Sequence, residues 1–328
     1  MAPKDFTHRN RLETCLAGVR PDKIPVALWR HFPVDDQGAG SLARAVAHFQ
    51  QNYDFDLIKV TPASSYCLRD WGVQDQWNGH RHGTRDYTKH AIQKPEDWFS
   101  LPVLDPSQGQ LGMMVECLKM LVDQFSPGTP VLHTIFSPLS QAKNLVGPQE
   151  LLVHLRKYPD AVNAGLEIIA ESTLRFLHHI RQLGIDGIFF AVQHAQYGLL
   201  TPGEFERFGR KYDLKVLHQM PDFWLNIGHI HGNQVMFEEV LDYPLQVLNW
   251  HDQETPPSLS DAQRMFKGVV LGGLRQEETM MLGTPADVLR EKRNAVQATR
   301  GERFILGTGC VLPIISPIGN IYATKDEV

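Results

Sequence analysis

The sequence predicts an α/β protein that folds as a single (β/α)8 barrel, the TIM-barrel fold. Eight short apolar runs alternate with longer amphipathic segments along the 328 residues. Strands that are separated by helices pair in parallel, and eight such units over about 300 residues are typical of this barrel. A doubly wound open sheet is the main alternative, but no GxGxxG stretch follows the first run. We therefore expect one barrel domain over residues 1–328.

The predicted strands are short, and their apolar residues include many β-branched and aromatic side chains. They cover residues 24–29, 56–60, 131–136, 187–192, 223–227, 246–250, 268–273 and 303–307. The fifth run leads directly into the stretch GHIHGN, so we expect the two histidines of that stretch at the end of a strand.

Amphipathic segments between these strands predict helices. They cover residues 41–53, 148–183, 202–219, 234–241, 260–266 and 284–300. Pro159 is expected to break the second helix, because proline removes an amide donor from a helix interior. Thr284 and Pro285 are typical of an N-cap followed by the first helical turn. Ser260 is a candidate cap for the short helix that ends near Phe266.

Residues 64–110, which follow the second predicted strand, do not fit the alternation of strand and helix. This segment is rich in Trp, His, Gly and Pro, and we expect an insertion that folds as a hairpin or lid over one face of the barrel. The segment contains three tryptophans, Trp71, Trp77 and Trp98. They either shield a site from water or anchor the insertion to the barrel, and anchoring is the more common role.

Composition excludes several classes of function. The net charge is −5, from 32 basic and 37 acidic residues without a basic run, so we expect no nucleic-acid partner. No apolar stretch approaches the roughly 18–20 residues that cross a bilayer, and the polar N-terminal stretch lacks a signal sequence. Four scattered cysteines without a CxxC pair are typical of a reduced, cytoplasmic protein. A monomer and a homodimer both remain open.

Reactive side chains follow the ends of several predicted strands, which is where barrel enzymes place their active sites. They are Arg30 and His31, Lys59 and Thr61, Gln193 and His194, His229 with His231 and Asn233, His251 and Asp252, Arg275, and Cys310. The carboxyl ends of all strands in such a barrel meet at one face, so we expect these groups to gather there.

The most specific set is His229, His231 and Cys310. Two imidazoles and a thiolate suit tetrahedral zinc, and three protein ligands leave the open position that catalytic zinc requires. Residues i and i+2 of a strand share a face, which favours joint use of the two histidines. The alternative is that one histidine ends the strand, the other faces solvent, and Cys310 is a small buried residue.

His194, His251 and Arg30 are the candidate catalytic residues. The two histidines titrate near neutral pH and suit proton transfer, although each alone is more often a hydrogen-bonded wall residue. The guanidinium of Arg30 suits an anionic substrate, but it suits a structural ion pair equally well.

Arg275, Lys59 and Asn233 are the candidates for binding a substrate or cofactor. Arg275 has the same two interpretations as Arg30. Lys59, at a strand end, is expected to pair with a carboxylate inside the barrel mouth. The remaining cysteines, Cys15, Cys67 and Cys117, have no partner at ligand spacing and are expected to be structural.

Several stretches of the chain resemble the uroporphyrinogen decarboxylase superfamily. They are Arg11-Leu12 with residues 20–26, then residues 53–62, 136–142, 229–233 and 307–313. The resemblance covers nearly the whole chain. It implies a (β/α)8 barrel whose active-site cleft lies at the carboxyl ends of the strands.

One branch of the superfamily, the true decarboxylases, is a poor match at its functional positions. Those enzymes carry Arg-Gln-Ala-Gly-Arg after the first strand to hold carboxylates, and a catalytic aspartate after the second. Here residues 30–34 read RHFPV, so only Arg30 is retained, and residues 59–61 read KVT. These departures argue against decarboxylation of a tetrapyrrole.

The chain is more similar to the methylcobamide:coenzyme M methyltransferases, which bind zinc through an H-x-C…C pattern. His229 matches the histidine, Cys310 matches the distal cysteine within Gly-Thr-Gly-Cys, and His231 stands where the first cysteine is expected. The resemblance implies a zinc site and transfer of a methyl group from a methylcobamide on a separate corrinoid carrier protein. The acceptor would be a thiol or a similar small molecule.

Other functions remain open at this point. The acceptor need not be coenzyme M, and methyl transfer to tetrahydrofolate or an O-demethylase role would use similar machinery. A tetrapyrrole decarboxylase with altered active-site residues would need no metal. A non-catalytic barrel that binds a corrinoid carrier would do so with or without His229.

Overall fold

A computed structural model describes residues 6–327 and contains a curled parallel sheet of seven strands. The strands of this sheet are β1 Ile58–Val60, β4 Val131–Phe136, β5 Gly187–Val192, β6 Ile227–Ile230, β7 Val247–Trp250, β8 Val269–Leu274 and β9 Phe304–Thr308. A separate antiparallel pair consists of β2 Gln74–Gln76 and β3 Asp86–Lys89. The seven strands stand in sequential order without a reversal, which excludes a doubly wound sheet.

The first predicted strand, residues 24–29, is not formed as a strand. It makes one isolated parallel bridge, Val26 to Leu306. The amide of Ala27 donates to the carbonyl of Leu306 at 2.9 Å, and the carbonyl of Val26 accepts from Asp56 at 2.9 Å. This segment thus lies between β9 and the residues that lead into β1. The closed barrel of eight strands stays a prediction.

Helices follow most of the strands. They are α1 His8–Leu16, α2 Ala39–Tyr53, α3 Gly109–Phe125, α4 Pro138–Val146, α5 Pro148–Lys157, α6 Pro159–Arg181, α7 Pro202–Phe205, α8 Lys211–Gln219, α9 Leu259–Met265, α10 Pro285–Thr299 and α11 Ile318–Ala323. The predicted break at Pro159 is confirmed, and a π-helical turn at Glu206–Arg210 joins α7 to α8. Thr284 caps α10 in a capping box with Asp287, as its sequence predicts.

Two helix predictions need correction. Residues 234–241 form only a 3₁₀ turn, Phe237–Val240, because Gln234 adopts a left-handed φ of 50° and the amide of Met236 donates to the carbonyl of Ala195. The backbone here bonds to the loop after β5 rather than to itself. Helix α9 is capped by Ser258, whose hydroxyl accepts from the amide of Asp261, and not by Ser260.

The sheet is buried on both faces, as a parallel sheet covered by helices should be. One apolar cluster, which includes Leu132, Phe189 and Ile305, fills the inside of the curl. A larger cluster lies between the sheet and the helices. The inner cluster forms a floor, and the polar side chains of the candidate site lie at the strand ends.

Residues between β1 and α3 fold as short 3₁₀ turns and the β2–β3 hairpin. The loop of this hairpin bonds to the loops after β8 and β9: His82 Nε2 lies 2.7 Å from a carboxylate oxygen of Glu277, and the carbonyl of Arg81 accepts from Ile314 at 2.8 Å. Trp98 is fully buried and donates to Nδ1 of His154 at 3.0 Å, so it anchors the segment. None of the helices in the described part is long and apolar enough to cross a membrane.

Candidate metal centre

Four potential metal ligands converge at the carboxyl ends of β6, β7 and β9. They are His229 within β6, His231 just beyond it, His251 directly after β7, and Cys310 two residues after β9. One nitrogen of each imidazole and the sulfur of Cys310 all lie within 4.8 Å of one another. The structure therefore brings together the three residues expected to bind metal, and it adds His251, which the sequence suggested only as a proton carrier.

Close backbone approaches allow this convergence. At Gly309 an added Cβ would lie 2.7 Å from the Cα of His251, so only glycine lets the turn before Cys310 reach the end of β7. At Gly232, which has a φ of 107°, a Cβ would lie 2.2 Å from the Gln196 side chain. Residues other than glycine rarely adopt this conformation, so Gly232 sets the turn that follows His231.

Hydrogen bonds orient two of the three imidazoles. Nδ1 of His229 lies 2.7 Å from Oδ1 of Asn249, and Nδ1 of His251 lies 3.1 Å from a carboxylate oxygen of Glu254. Both oxygens are acceptors here, so each Nδ1 carries the proton and each Nε2 presents a lone pair to the cluster.

Burial and neighbouring groups also shift the pKa values of Cys310, His229 and His251. Burial would raise the pKa of the Cys310 thiol, but its contacts with His229, His231 and His251 outweigh burial and hold the pKa well below its usual value. Burial lowers the pKa of His229. Burial opposes a charge on His251 too, yet Cys310 and Glu254 together raise its pKa. A lowered pKa of Cys310 favours the thiolate, which is the form that binds metals.

The donor set fits a zinc ion. Nδ1 of His231 lies 3.3 Å from Nε2 of His251 and 3.7 Å from the sulfur of Cys310. Imidazole nitrogens this close repel one another unless they share a proton or a cation. Imidazole and thiolate are the ligands that zinc prefers.

A cavity of about 600 Å³ opens beside the cluster, with His229, His231 and Cys310 in its wall. Its volume lies within the usual range for small-molecule sites. Trp29 and Phe189 contribute aromatic faces to the same wall. A ligand in this cavity can therefore contact the metal ligands and an apolar surface together.

Lys59 lines the cavity and is buried, with 7% of its surface exposed. The prediction that Lys59 pairs with a carboxylate is wrong, because no carboxylate among residues 6–327 lies within ion-pair distance of its side-chain nitrogen. That nitrogen instead lies 3.3 Å from Thr61 Oγ1 and 4.5 Å from the centre of the Phe189 ring. Burial lowers the pKa of Lys59 to about 7. Lys143, bonded to Gln193 at 3.0 Å, is a second cavity lysine, and burial lowers its pKa to about 8.

Among the residues that the structure describes, three other candidates do not line this cavity. Arg275 forms an ion pair with Glu291 at 2.7 Å, so its expected role in ligand binding gives way to a structural one. Arg30 stacks beside Phe32 and donates to the carbonyl of Ile314. The Asn233 side chain is exposed at the surface. The ion pair of Arg275 is the second of the two interpretations that its sequence left open. The proposed binding roles of Arg30 and Asn233 stay predictions.

His194 is buried close to His231, but its side chain does not join the cluster in the described structure. Burial lowers its pKa to about 3, so it is neutral at physiological pH.

Sequence reasoning missed Asn249, Glu254 and Lys143. Asn249 stands in the interior of β7, where one polar residue in an apolar run was the available signal. Glu254 lies three residues after His251, a spacing that is common in turns and carries little information. Lys143 belongs to a helix, whose residues were not considered for the site.

Known proteins resemble this chain over most of its length. A profile of the family described as uroporphyrinogen decarboxylase (URO-D) matches residues 51–328. A methylcobamide:CoM methyltransferase of Methanosarcina acetivorans is 22% identical over 237 residues, which are 71% of this chain and 68% of the relative. Another from Methanosarcina barkeri is 21% identical over an alignment of 351 positions that covers 98% of each protein.

Solved structures share the fold. A methyltransferase from Methanosarcina mazei superposes with a TM-score of 0.84 at 18% identity, covering 98% of this chain and 97% of that chain. A B12-independent methionine synthase from a Shewanella species reaches a TM-score of 0.61 at 14% identity, covering 93% and 92% of the two chains.

Proposed function

Because the chain belongs to the uroporphyrinogen decarboxylase family, we propose that it is a zinc-dependent methyltransferase that transfers a methyl group from a methylcobamide to a thiol. The convergence of His229, His231 and Cys310 on the wall of one cavity carries this proposal. The names of the methylcobamide:CoM methyltransferase relatives supply the methyl donor. The donor would be bound to a corrinoid carrier protein.

The residues that would hold zinc are His229, His231 and Cys310, with His251 within reach. Zinc held there would act as a Lewis acid that lowers the pKa of an acceptor thiol. Asn249 and Glu254 hold the lone pairs of two imidazoles toward this position. The cluster lies in the cavity wall, so an acceptor can reach it.

The cavity lysines favour an acceptor with an acidic group. Lys59 and Lys143 face the cavity without a carboxylate partner among the described residues, and an acidic ligand would balance their charge. In the transfer, the acceptor loses its thiol proton to solvent and its sulfur forms a bond to the methyl carbon. The carbon–cobalt bond breaks, and its electron pair stays on the corrinoid.

A tetrapyrrole decarboxylase is disfavoured by the same cavity. The aspartate that such an enzyme uses is missing from residues 59–61, whose cavity-lining side chains are Lys59 and Thr61. Arg30 is the one arginine retained from the carboxylate clamp. Its side chain is not among the cavity-lining residues that the structure describes, and it donates to the carbonyl of Ile314 instead. A non-catalytic corrinoid-binding barrel would have no use for three imidazoles and a thiolate beside a cavity.

The metal content of the purified protein tests the proposal. We expect about one zinc per chain in protein produced without a histidine tag, and a loss of most of it in His229→Ala and Cys310→Ala. The loaded wild-type protein should then demethylate methylcobalamin when a thiol is supplied. Both variants should lose that activity, because they lack a ligand.

Cys117→Ala is the matched control, since Cys117 is a buried cysteine in α3 and lies outside the cluster. It should keep its zinc. Full zinc retention in folded His229→Ala and Cys310→Ala would overturn the assignment of the metal site. Zinc binding without demethylation by any thiol would overturn the reaction.

A further inference from the structure

Asn249 makes three side-chain hydrogen bonds inside the sheet. It is fully buried in β7. Its amide nitrogen donates to the carbonyl of Leu271 in β8 at 2.9 Å and to the carbonyl of Thr308 in β9 at 3.1 Å. Its oxygen lies 2.7 Å from Nδ1 of His229 in β6. A single side chain thus connects β6, β7, β8 and β9 beside the proposed metal site.

The two carbonyls fix which way the amide faces. A carbonyl oxygen can only accept a hydrogen bond, so the NH₂ group of Asn249 must point at Leu271 and Thr308. The oxygen of Asn249 must then face His229. Since this oxygen only accepts, Nδ1 of His229 must carry the proton, and its lone pair must be on Nε2.

We infer that Asn249 is a positioning residue that holds His229 in the tautomer and orientation in which Nε2 serves as a metal ligand. Outer partners of this kind set ligand geometry and metal affinity in zinc proteins. The bond to Thr308 also ties His229 to the strand end that precedes Cys310. This inference rests on the proposed function, because it presupposes that the cluster binds a metal.

The first test measures how tightly the Asn249→Ala variant binds Co²⁺ and Zn²⁺, by competition with a chelator. We expect the dissociation constant to rise about 10- to 100-fold relative to wild type. The absorption bands of bound Co²⁺, which report coordination geometry, should also change. Asn249→Asp keeps an acceptor for Nδ1 of His229 and should recover much of the affinity, although it loses the two donated bonds and should be less stable.

Asn320→Ala is the matched control. Asn320 is equally buried, and its amide donates to the carbonyls of Thr279, Met280 and Gly283, but it contacts no imidazole. This variant should lower the thermal stability of the metal-free protein and leave the Co²⁺ spectrum and affinity unchanged. A merely structural role for Asn249 predicts the same pattern for Asn249→Ala, and that result would overturn the inference.

A measurement on the wild-type protein covers the case in which Asn249→Ala fails to fold. In zinc-loaded protein with ¹⁵N-labelled histidine, His229 should show a protonated Nδ1 and a metal-bound Nε2. The opposite tautomer would refute the positioning role. Failure of the wild-type protein to bind either metal would refute the proposed metal site itself, so the two failures are distinguishable.

Discussion

Lys59 places an ammonium group inside the barrel mouth without a carboxylate among residues 6–327 to balance it. Burying an unpaired charge is costly, and the faces of Phe189 and Trp29, 4.5 Å and 5.5 Å from the nitrogen, offset only part of that cost. Because its pKa is about 7, the amine of Lys59 takes up a proton readily when an anion enters the cavity, and the residue is therefore suited to binding an anion. Lys59 would therefore make the site prefer acceptors that carry a negative charge.

Replacement of Lys59 by Met should remove this selectivity. With mercaptoethanesulfonate and mercaptoethanol as matched acceptors, we expect kcat/KM for the acidic thiol to fall about 10- to 100-fold, which corresponds to the loss of one charged hydrogen bond. The value for the neutral thiol should change little.

Lys292→Met serves as the control for Lys59→Met, because Lys292 is also buried but bonds to the carbonyls of Thr324 and Asp326 outside the cavity. It should leave the ratio between the two thiols unchanged. Equal losses for the acidic and the neutral thiol in Lys59→Met would contradict the role in charge selection.

Asp213 should make stability depend on pH. It is fully buried in α8, it accepts one hydrogen bond from Tyr243 at 2.8 Å, and burial raises its pKa to about 8. The folded state therefore holds a proton that the unfolded chain releases near pH 4. The associated stability is complete below about pH 4 and is lost as the pH rises to about 8.

Asp213→Asn should remove this loss, because an amide does not ionise. Relative to wild type, the free energy of unfolding of the variant should increase between pH 4 and pH 8, by at most about 6 kcal/mol, and level off above pH 8. Urea unfolding of both proteins at several pH values measures the difference. Asp242→Asn, at an exposed position, is the control. A difference that does not vary with pH would show that Asp213 is ionised in the folded protein.

Single residues of the site differ in how far the sequence predicts them. His229, His231 and Cys310 lie at or just beyond the carboxyl ends of strands and have metal-binding side chains, so position and chemistry together select them. The roles of Arg30 and Arg275 were not predictable in this way. Their long side chains reach several partners, and whether a guanidinium meets a ligand or a carboxylate such as Glu291 depends on packing that spacing does not encode.

Among the elements, strands were easier to predict than the segments after them. Six of the eight apolar runs overlap strands of the sheet, because a buried parallel strand must be apolar on both faces. The fifth run, residues 223–227, largely precedes its strand: β6 begins only at Ile227 and contains His229. The first run fails as a strand because Pro25 has no amide hydrogen and the run keeps only short contacts with Leu306. Residues 234–241 show a helical pattern, yet the amide of Met236 donates to the carbonyl of Ala195 in the loop after β5.

The strand β6 shows why the histidine pair lies at the site. In the sheet, His229 lies opposite Ala191 of β5 and Asn249 of β7. Its side chain therefore faces the inside of the curl. His231 follows the last residue of β6, and its amide donates to the carbonyl of Val192 at 2.9 Å. The alternation of a strand and the order of its neighbours together set the positions of these two residues.

On the scale of the whole molecule, a metal at the cluster would join distant parts of the chain. His231 and Cys310 are 79 residues apart in sequence, and the ends of β6, β7 and β9 meet only when the sheet is complete. The unfolded chain lacks this preformed set of ligands. Metal binding should therefore stabilise the entire fold rather than one loop.

Thermal unfolding with and without metal tests this link between the cluster and the fold. Free zinc at a concentration of 100 times Kd should stabilise the folded protein by about 2.7 kcal/mol, raise Tm, and be reversed by a chelator. His229→Ala should lose the zinc-dependent increase, while His218→Ala, on the exposed side of α8, should keep it. The same increase in His229→Ala and wild type would mean that zinc binds elsewhere. Because His229 belongs to β6 and the other three groups follow the ends of β6, β7 and β9, a shift that depends on His229 would show that the curled sheet itself forms the metal site.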